Sequence, residues 1–199
     1  MVPYLRDQVA SYVSRLPDGP GRTLEIGAAD VNGSVRDLFT DYVGTDMRPA
    51  PGVDLVVNAH DLLHFFSPGS FDTIVCLETL EHDDAFWVTV QVIRTLLQPL
   101  GHLILSAPAI GYGQHSCPFD YWRFTEEAFR LLLRGMSLIE LKTMHSDTVI
   151  AFAEKPYDSI TALEAATRRI EELETLLSMS RSGPMKATLA GVGTVRHGN

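Results

Sequence analysis

The sequence predicts an α/β fold: an open, mostly parallel sheet of about seven strands, helices on both faces and an antiparallel hairpin at the carboxyl end. Three observations carry it. Short apolar runs bounded by turn residues recur along the first half of the chain, segments of helical period fall between them, and two alternating runs close the pattern.

From Pro3 to Leu16, the residues Tyr4, Leu5, Val9, Tyr12, Val13 and Leu16 recur at helical spacing, and Pro17 to Gly21 ends the run. Strands are expected at Thr23 to Ile26, Asp41 to Thr45, Asp54 to Asn58, Phe71 to Leu77 and His102 to Ser106. A short helix fits Ser34 to Thr40, and a longer one Ala85 to Leu97, where Val88, Val92 and Leu96 make a stripe. Only Asp46 to Val53 joins the second strand to the third, too little for a helical crossover, so an extended Pro-stiffened link is expected. Thr125 suits an N-cap, with Glu126 and Glu127 in the first turn of a helix reaching about Arg134. Leu138 to Met144 and Thr148 to Ala153 alternate around His145-Ser146-Asp147, a hairpin pattern.

Residues 1–156 thus form one expected domain. Residues 157–179 follow as an amphipathic helix whose Leu163, Ala166, Ile170, Leu173 and Leu177 make a short heptad seam, suited to a homodimer or to packing on its own domain. Residues 180–199, rich in Gly and small residues, are expected to be disordered. The 199 residues are 45% hydrophobic and 21% charged, a globular composition, and the net charge of −9 argues against a nucleic-acid partner. Two cysteines at no metal-ligand spacing, no apolar stretch of spanning length and no leader pattern behind Met1 point to a reducing, cytoplasmic setting without a membrane span.

Chemistry-bearing residues gather where strands end, the edge at which open sheets bind ligands. Leu24 to Gly33 opens the domain, and its small residues Gly27, Ala28 and Ala29 beside Glu25 would bring backbone amides close to a nucleotide-like cofactor; without a ligand the same residues would make a plain tight turn. Asp46 ends the second strand where a ribose would present its hydroxyls. His60 and Asp61 follow the third, where an acid suits an adenine amino group, and Leu77 and Glu78 close the fourth, ahead of Glu81 and His82.

From about Arg22 to Pro108 this arrangement resembles the class I S-adenosylmethionine-dependent methyltransferases, Rossmann-like enzymes, of the small type with a Glu-His pair after the fourth strand. The resemblance implies S-adenosyl-L-methionine as cofactor, with Glu25, Gly27, Ala28 and Ala29 against its methionine part and Asp46 on the ribose. Met47 would then lie on the adenine, His60 and Asp61 at its edge, and Leu77 and Glu78 would complete the set. The family's Gly-x-Gly-x-Gly is altered here, to Ala29 and Val31, and the Gly-x-Gly-x-x-Gly spacing a dinucleotide needs is missing, which disfavours a nicotinamide-dependent oxidoreductase.

Glu78, Glu81 and His82 invite a metal reading, but no third well-placed ligand lies nearby in sequence, and no metal is expected. After the fifth strand, His115, Asp120, Tyr121, Trp122 and Arg123 crowd a polar, aromatic segment that suits a substrate wall, and similar stretches occur in relatives of the family. Tyr121, Trp122 and Arg123 are the candidate acceptor contacts, with Arg123 either paired to Asp120 or holding an anionic acceptor. His115 is the first candidate for a proton acceptor, and His82 and Asp120 are the alternates. The expected activity is methyl transfer to a small-molecule, sugar or lipid acceptor, preferably at oxygen; the alternative is a non-catalytic S-adenosylmethionine-binding or assembly protein.

Overall fold

Period-two burial builds the centre of the molecule. In the computed structural model, which describes residues 3–157 apart from 32 and 116–118, Arg22–Ile26 (β1), Asp41–Asp46 (β2), Leu55–Val56 (β3), Phe71–Leu77 (β4) and Leu97–Pro108 (β5) pair in parallel. Ser137–Met144 (β6) and Thr148–Glu154 (β7) form the antiparallel hairpin, and β7 pairs antiparallel with β5. The order across the seven-stranded sheet is β3-β2-β1-β4-β5-β7-β6. The chain therefore reverses direction across the sheet between β1 and β4, the point at which such sheets open a crevice.

Each face has its own core. Leu24, Ile74, Cys76, Leu103, Leu105, Ala151 and Ala153 pack under the helices Phe86–Leu96 (α2) and Glu126–Leu132 (α3). Their neighbours Val75, Leu77, Ile104, Ile150 and Phe152 face the opposite way, against helix Pro3–Val13 (α1) and the residues Val35 and Phe39. Leu5, Val9 and Tyr12 of α1 recur on one stripe and are buried, and Tyr12 stacks on Phe152 with ring centroids 4.3 Å apart. Burial of each such side chain is worth about 1.5–3 kcal/mol. The Thr125 hydroxyl caps α3 by accepting the Ala128 N–H at 3.1 Å.

Three expectations need correction. Ser34 to Thr40 makes only a single 3-10 turn at Arg36–Leu38, where Arg36 instead forks onto the Asp54 carboxylate at 2.8 and 3.0 Å. Strand β3 is only two residues long and, among the described residues, lies at the sheet edge beside β2. Strand β5 starts directly after α2, five residues before His102, with an irregular register against β4 between Phe71 and Thr73 and a positive φ of 63° at Leu100. The linker from β2 to β3 carries no helix, as its length required. The seam helix at 157–179, with the dimer it suggested, and the tail at 180–199 lie outside the described residues beyond Tyr157. Among the described residues no helix is long and apolar enough to cross a membrane.

Candidate functional site

The carboxyl ends of β1, β2 and β4 open into one cavity of about 910 Å³. Its position follows from the reversal of strand order: the loops after β1 and β4 leave on opposite faces and part. Of the residues singled out from sequence, Glu25, Gly27, Ala28, Ala29, Asp46, Met47, His60, Leu77, Glu78, His82, His115 and Tyr121 line it. Asp61, Asp120, Trp122 and Arg123 are not on its wall among the described residues.

The first loop is narrower in its use than its glycine suggested. The amides of Gly27 and Ala28 both donate to the Thr45 carbonyl, at 2.8 and 2.9 Å, and that of Asp30 to Pro51 at 2.8 Å. Val31 and Gly33 donate to the Ala29 carbonyl and the Asp30 carboxylate. These amides brace the loop against β2 and its linker instead of turning toward a ligand. What the loop contributes to the cavity is smallness and, from β1, the Glu25 carboxyl.

Glu25 is buried, and its Oε2 accepts from the Tyr42 hydroxyl. Tyr42 carries no signal in isolation, but it stands two residues from Gly44, the register partner of Glu25, and so shares its face. Burial pushes the Glu25 carboxyl up to about 7, against the weaker opposing pull of that hydroxyl. The folded state therefore holds a proton that the unfolded chain loses near 4.5. The associated stability is present below that value and lost as pH rises to 7. Unfolding measured between pH 4.5 and 7 should thus show Glu25→Gln gaining on the parent by up to about 3 kcal/mol; parallel profiles would contradict the shift.

Around the cavity, Asp46 Oδ1 accepts the Arg48 amide at 2.9 Å, which fixes the carboxylate at the end of β2, and Met47 beside it is 60% exposed. His60 Nε2 lies 3.1 Å from Asp83. Asp83 was missed from sequence, yet it gathers the site: it also accepts from the Thr89 hydroxyl at 2.5 Å and the Ala85 amide at 2.9 Å, and its carbonyl accepts from the Trp122 indole at 2.9 Å. Its carboxylate two residues ahead of the α2 N-cap was the available signal. Glu78 sits at φ 48°, rare outside glycine, and its Oε1 accepts from the Ser106 hydroxyl at 2.8 Å; burial raises its carboxyl to about 7.

On the far side, the segment after β5 leaves at Ala109 and returns at Phe124, which bridge each other in parallel. Arg123 holds this excursion together. It forks onto Asp120 at 2.5 and 2.7 Å and donates to the carbonyls of Tyr112, Gly113 and Trp122. Of the two roles read for Arg123, the ion pair with Asp120 is the one present, and its donors are engaged. Asp120 is corrected as a proton acceptor: its side chain is 1% exposed, it also accepts the His115 amide at 2.7 Å, and the Arg123 guanidinium holds it far below the usual carboxylate range. Trp122 spends its N–H on Asp83 and packs edge-on to Phe86 and Trp87, away from the cavity.

His115 reaches Glu81, 34 positions earlier. Its Nε2 stands 3.8 Å from Glu81 Oε1, and His82 Nε2 lies 3.5 Å from the same oxygen. The rings of His82 and His115 meet edge to face at 5.0 Å. Burial lowers the basicity of His82 and lifts the Glu81 carboxyl to about 8. The third donor absent from local spacing is thus supplied by the fold.

A family model described as a methyltransferase domain matches residues 1–147. The chain belongs to that family. It is an S-adenosylmethionine-dependent methyltransferase, and no curated protein matches it. Among solved structures the methyltransferase is similar to the 1,6-didemethyltoxoflavin N1-methyltransferase of Burkholderia thailandensis, solved with 1,6-didemethyltoxoflavin and S-adenosylhomocysteine. The two share 17% identity and a TM-score of 0.62, over 77% of this chain and 79% of that one. It is also similar to the CurJ carbon methyltransferase, at 16% identity and a TM-score of 0.57 over 77% of this chain and 54% of that one. The [4+2]-cyclase SpnF matches at 14% identity and a TM-score of 0.60, over 78% of this chain and 81% of that one. At such identities the likeness is one of fold, and the fold serves nitrogen transfer, carbon transfer and cyclisation alike.

The cavity fits the cofactor by its chemistry. Asp46, Asp83 and Asp84 bring carboxylates to it, Glu25, Glu78 and Glu81 add buried carboxyls, and Arg48 is the one guanidinium among its described lining residues. Such a wall suits a ligand carrying a sulfonium and an ammonium, and repels a pyrophosphate.

Proposed function

We propose that this methyltransferase carries a methyl group from S-adenosylmethionine to a small-molecule acceptor, preferably at an oxygen, in the half of the cavity bounded by Glu81, His82 and His115. The observation that carries the reading is the division of the cavity wall. Glu25, Asp46 and Met47 reach it from β1, the end of β2 and the residue after it, whereas His82 comes from the turn after β4 and Tyr112, His115, Phe119 and Tyr121 from the segment after β5. Glu25 and Gly27 would hold the methionine part, Asp46 the ribose and Met47 the adenine face, with His60 at the adenine edge and Leu77 and Glu78 below. Asp61, with its side chain 59% exposed, would reach only that edge. The bound acceptor of the Burkholderia relative is itself a small molecule.

The cofactor supplies an electrophilic methyl group, and the protein's own part is alignment. Holding two reactants in attack geometry contributes roughly 7–11 kcal/mol in favourable cases. Tyr121 would cover the acceptor, and Trp122 and Arg123 would back that wall from behind. A hydroxyl acceptor must also lose a proton, and Nε2 of His115 would receive it. His115→Gln should lower kcat about 10²-fold while S-adenosylhomocysteine affinity, read by calorimetry, stays within threefold. An unchanged rate would remove His115 from the chemistry. A second reading, binding without transfer, draws on the first-loop amides being engaged inside the protein. Release of S-adenosylhomocysteine with a labelled methyl on an acceptor excludes it.

A further inference from the structure

Glu81 is fully buried, and neither of its carboxylate oxygens has a hydrogen-bond partner. Such a group is costly unless it is neutral or meets a cation. The guanidinium that acts on it, that of Arg123, is committed to Asp120 and three carbonyls. What faces Glu81 is a pair of imidazoles, each with Nε2 within 3.8 Å of Oε1.

Both imidazoles are oriented from behind. His82 Nδ1 lies 2.5 Å from the Phe119 carbonyl, which selects the tautomer with a free Nε2 lone pair. His115 Nδ1 lies 3.3 Å from Asp120 Oδ2, short of hydrogen-bond alignment but with the carboxylate behind the ring, and Arg123 holds Asp120 in turn. A carbonyl or carboxylate behind each ring is the support that metal-ligating histidines receive. One donor atom from each of Glu81, His82 and His115 lies within 4.8 Å of the others. Tetrahedral ligands at roughly 2.1 Å from an ion stand about 3.4 Å apart, so modest side-chain rotation closes the set.

We propose that Glu81, His82 and His115 form a binding site for a divalent transition-metal ion at the acceptor end of the cavity. Two imidazoles and one carboxylate favour zinc, iron or manganese over magnesium or calcium. All three residues line the cavity, so the open positions of the ion face the space assigned to the acceptor, where an oxygen-bearing molecule would be oriented. That use rests on the methyl-transfer reading, whereas the binding does not. With the ion seated, His115 acts as a ligand in place of a proton acceptor.

The test is calorimetric titration of zinc into chelator-stripped protein. One ion per chain should bind at micromolar or tighter affinity, and magnesium at least 100-fold more weakly. Glu81→Gln and His115→Gln should each weaken zinc binding at least 100-fold, while His64→Ala, whose side chain is 79% exposed elsewhere, should leave it unchanged. Absence of stoichiometric zinc in the parent, or affinity within threefold of the parent in both variants, would overturn the site. Should Glu81→Gln fail to fold, His115→Gln decides the question alone, since that side chain is partly exposed and its loss leaves the core intact. Zinc binding at the cluster without methyl transfer would sink the functional reading and leave the site standing; methyl transfer by a protein that binds no zinc would do the reverse.

Discussion

Gly27→Val should abolish measurable S-adenosylhomocysteine binding and cost the fold about 3–5 kcal/mol. Two independent terms add. Gly27 sits at φ +81°, which for a residue with a Cβ costs roughly 1–2 kcal/mol and more when the side chain is β-branched. A Cβ there would also stand 2.0 Å from Thr79 Oγ1 and 2.8 Å from its Cγ2. Thr79 cannot step aside freely, because its hydroxyl donates to the Leu77 carbonyl at 2.9 Å. The clash therefore pushes the loop after β1 and the segment after β4 apart, and both segments line the cavity. Gly33→Ala is the control: φ there is +109°, but nothing lies within 4 Å of the added Cβ, so only the backbone term applies, roughly 1–2 kcal/mol. Urea unfolding and calorimetry on the two variants check the pair. A valine at 27 with parental stability would mean that the loop is not braced as described.

The contrast between these two glycines shows how far the chain could be read by itself. Local signals were legible: apolar alternation located the strands, the shortness of Asp46 to Val53 excluded a helix, and Thr125 announced α3. The carboxylates at strand ends were legible too, since an open parallel sheet brings its carboxyl ends together. Features made by distant pairs were not. Glu25 meets Tyr42 only once the register of β1 on β2 is known, and Glu81 meets His115 only because the segment after β5 folds back over the turn after β4, where the Tyr121 amide donates to the Glu81 carbonyl. The helix expected at Ser34 to Thr40 failed for a related reason. Arg36 is drawn to Asp54, an ion pair no local pattern announces, and Val35 and Phe39 are buried against the sheet from a single turn.

Arg123→Ala should lower kcat about 10–100-fold with cofactor affinity unchanged within threefold, a split that a general loss of folding would not produce. The guanidinium ties together Tyr112, Gly113, Asp120 and Trp122, and through Asp120 it fixes the amide of His115. None of these bonds touches the end of the cavity at Asp46 and Met47. Removing Arg123 also strands the Asp120 carboxylate, 1% exposed, without its counter-charge. A fully buried pair broken on one side costs about 3–5 kcal/mol; Arg123 is partly solvated, so about 2–3 kcal/mol is expected here. Asp120→Asn should cost less than Arg123→Ala, because the amide oxygen can still accept the His115 N–H. The double variant should be less impaired in stability than the sum of the two, since the stranded charge is then absent. Additive losses would mean that the two side chains act separately, and the placement of His115 against Glu81 would need another origin.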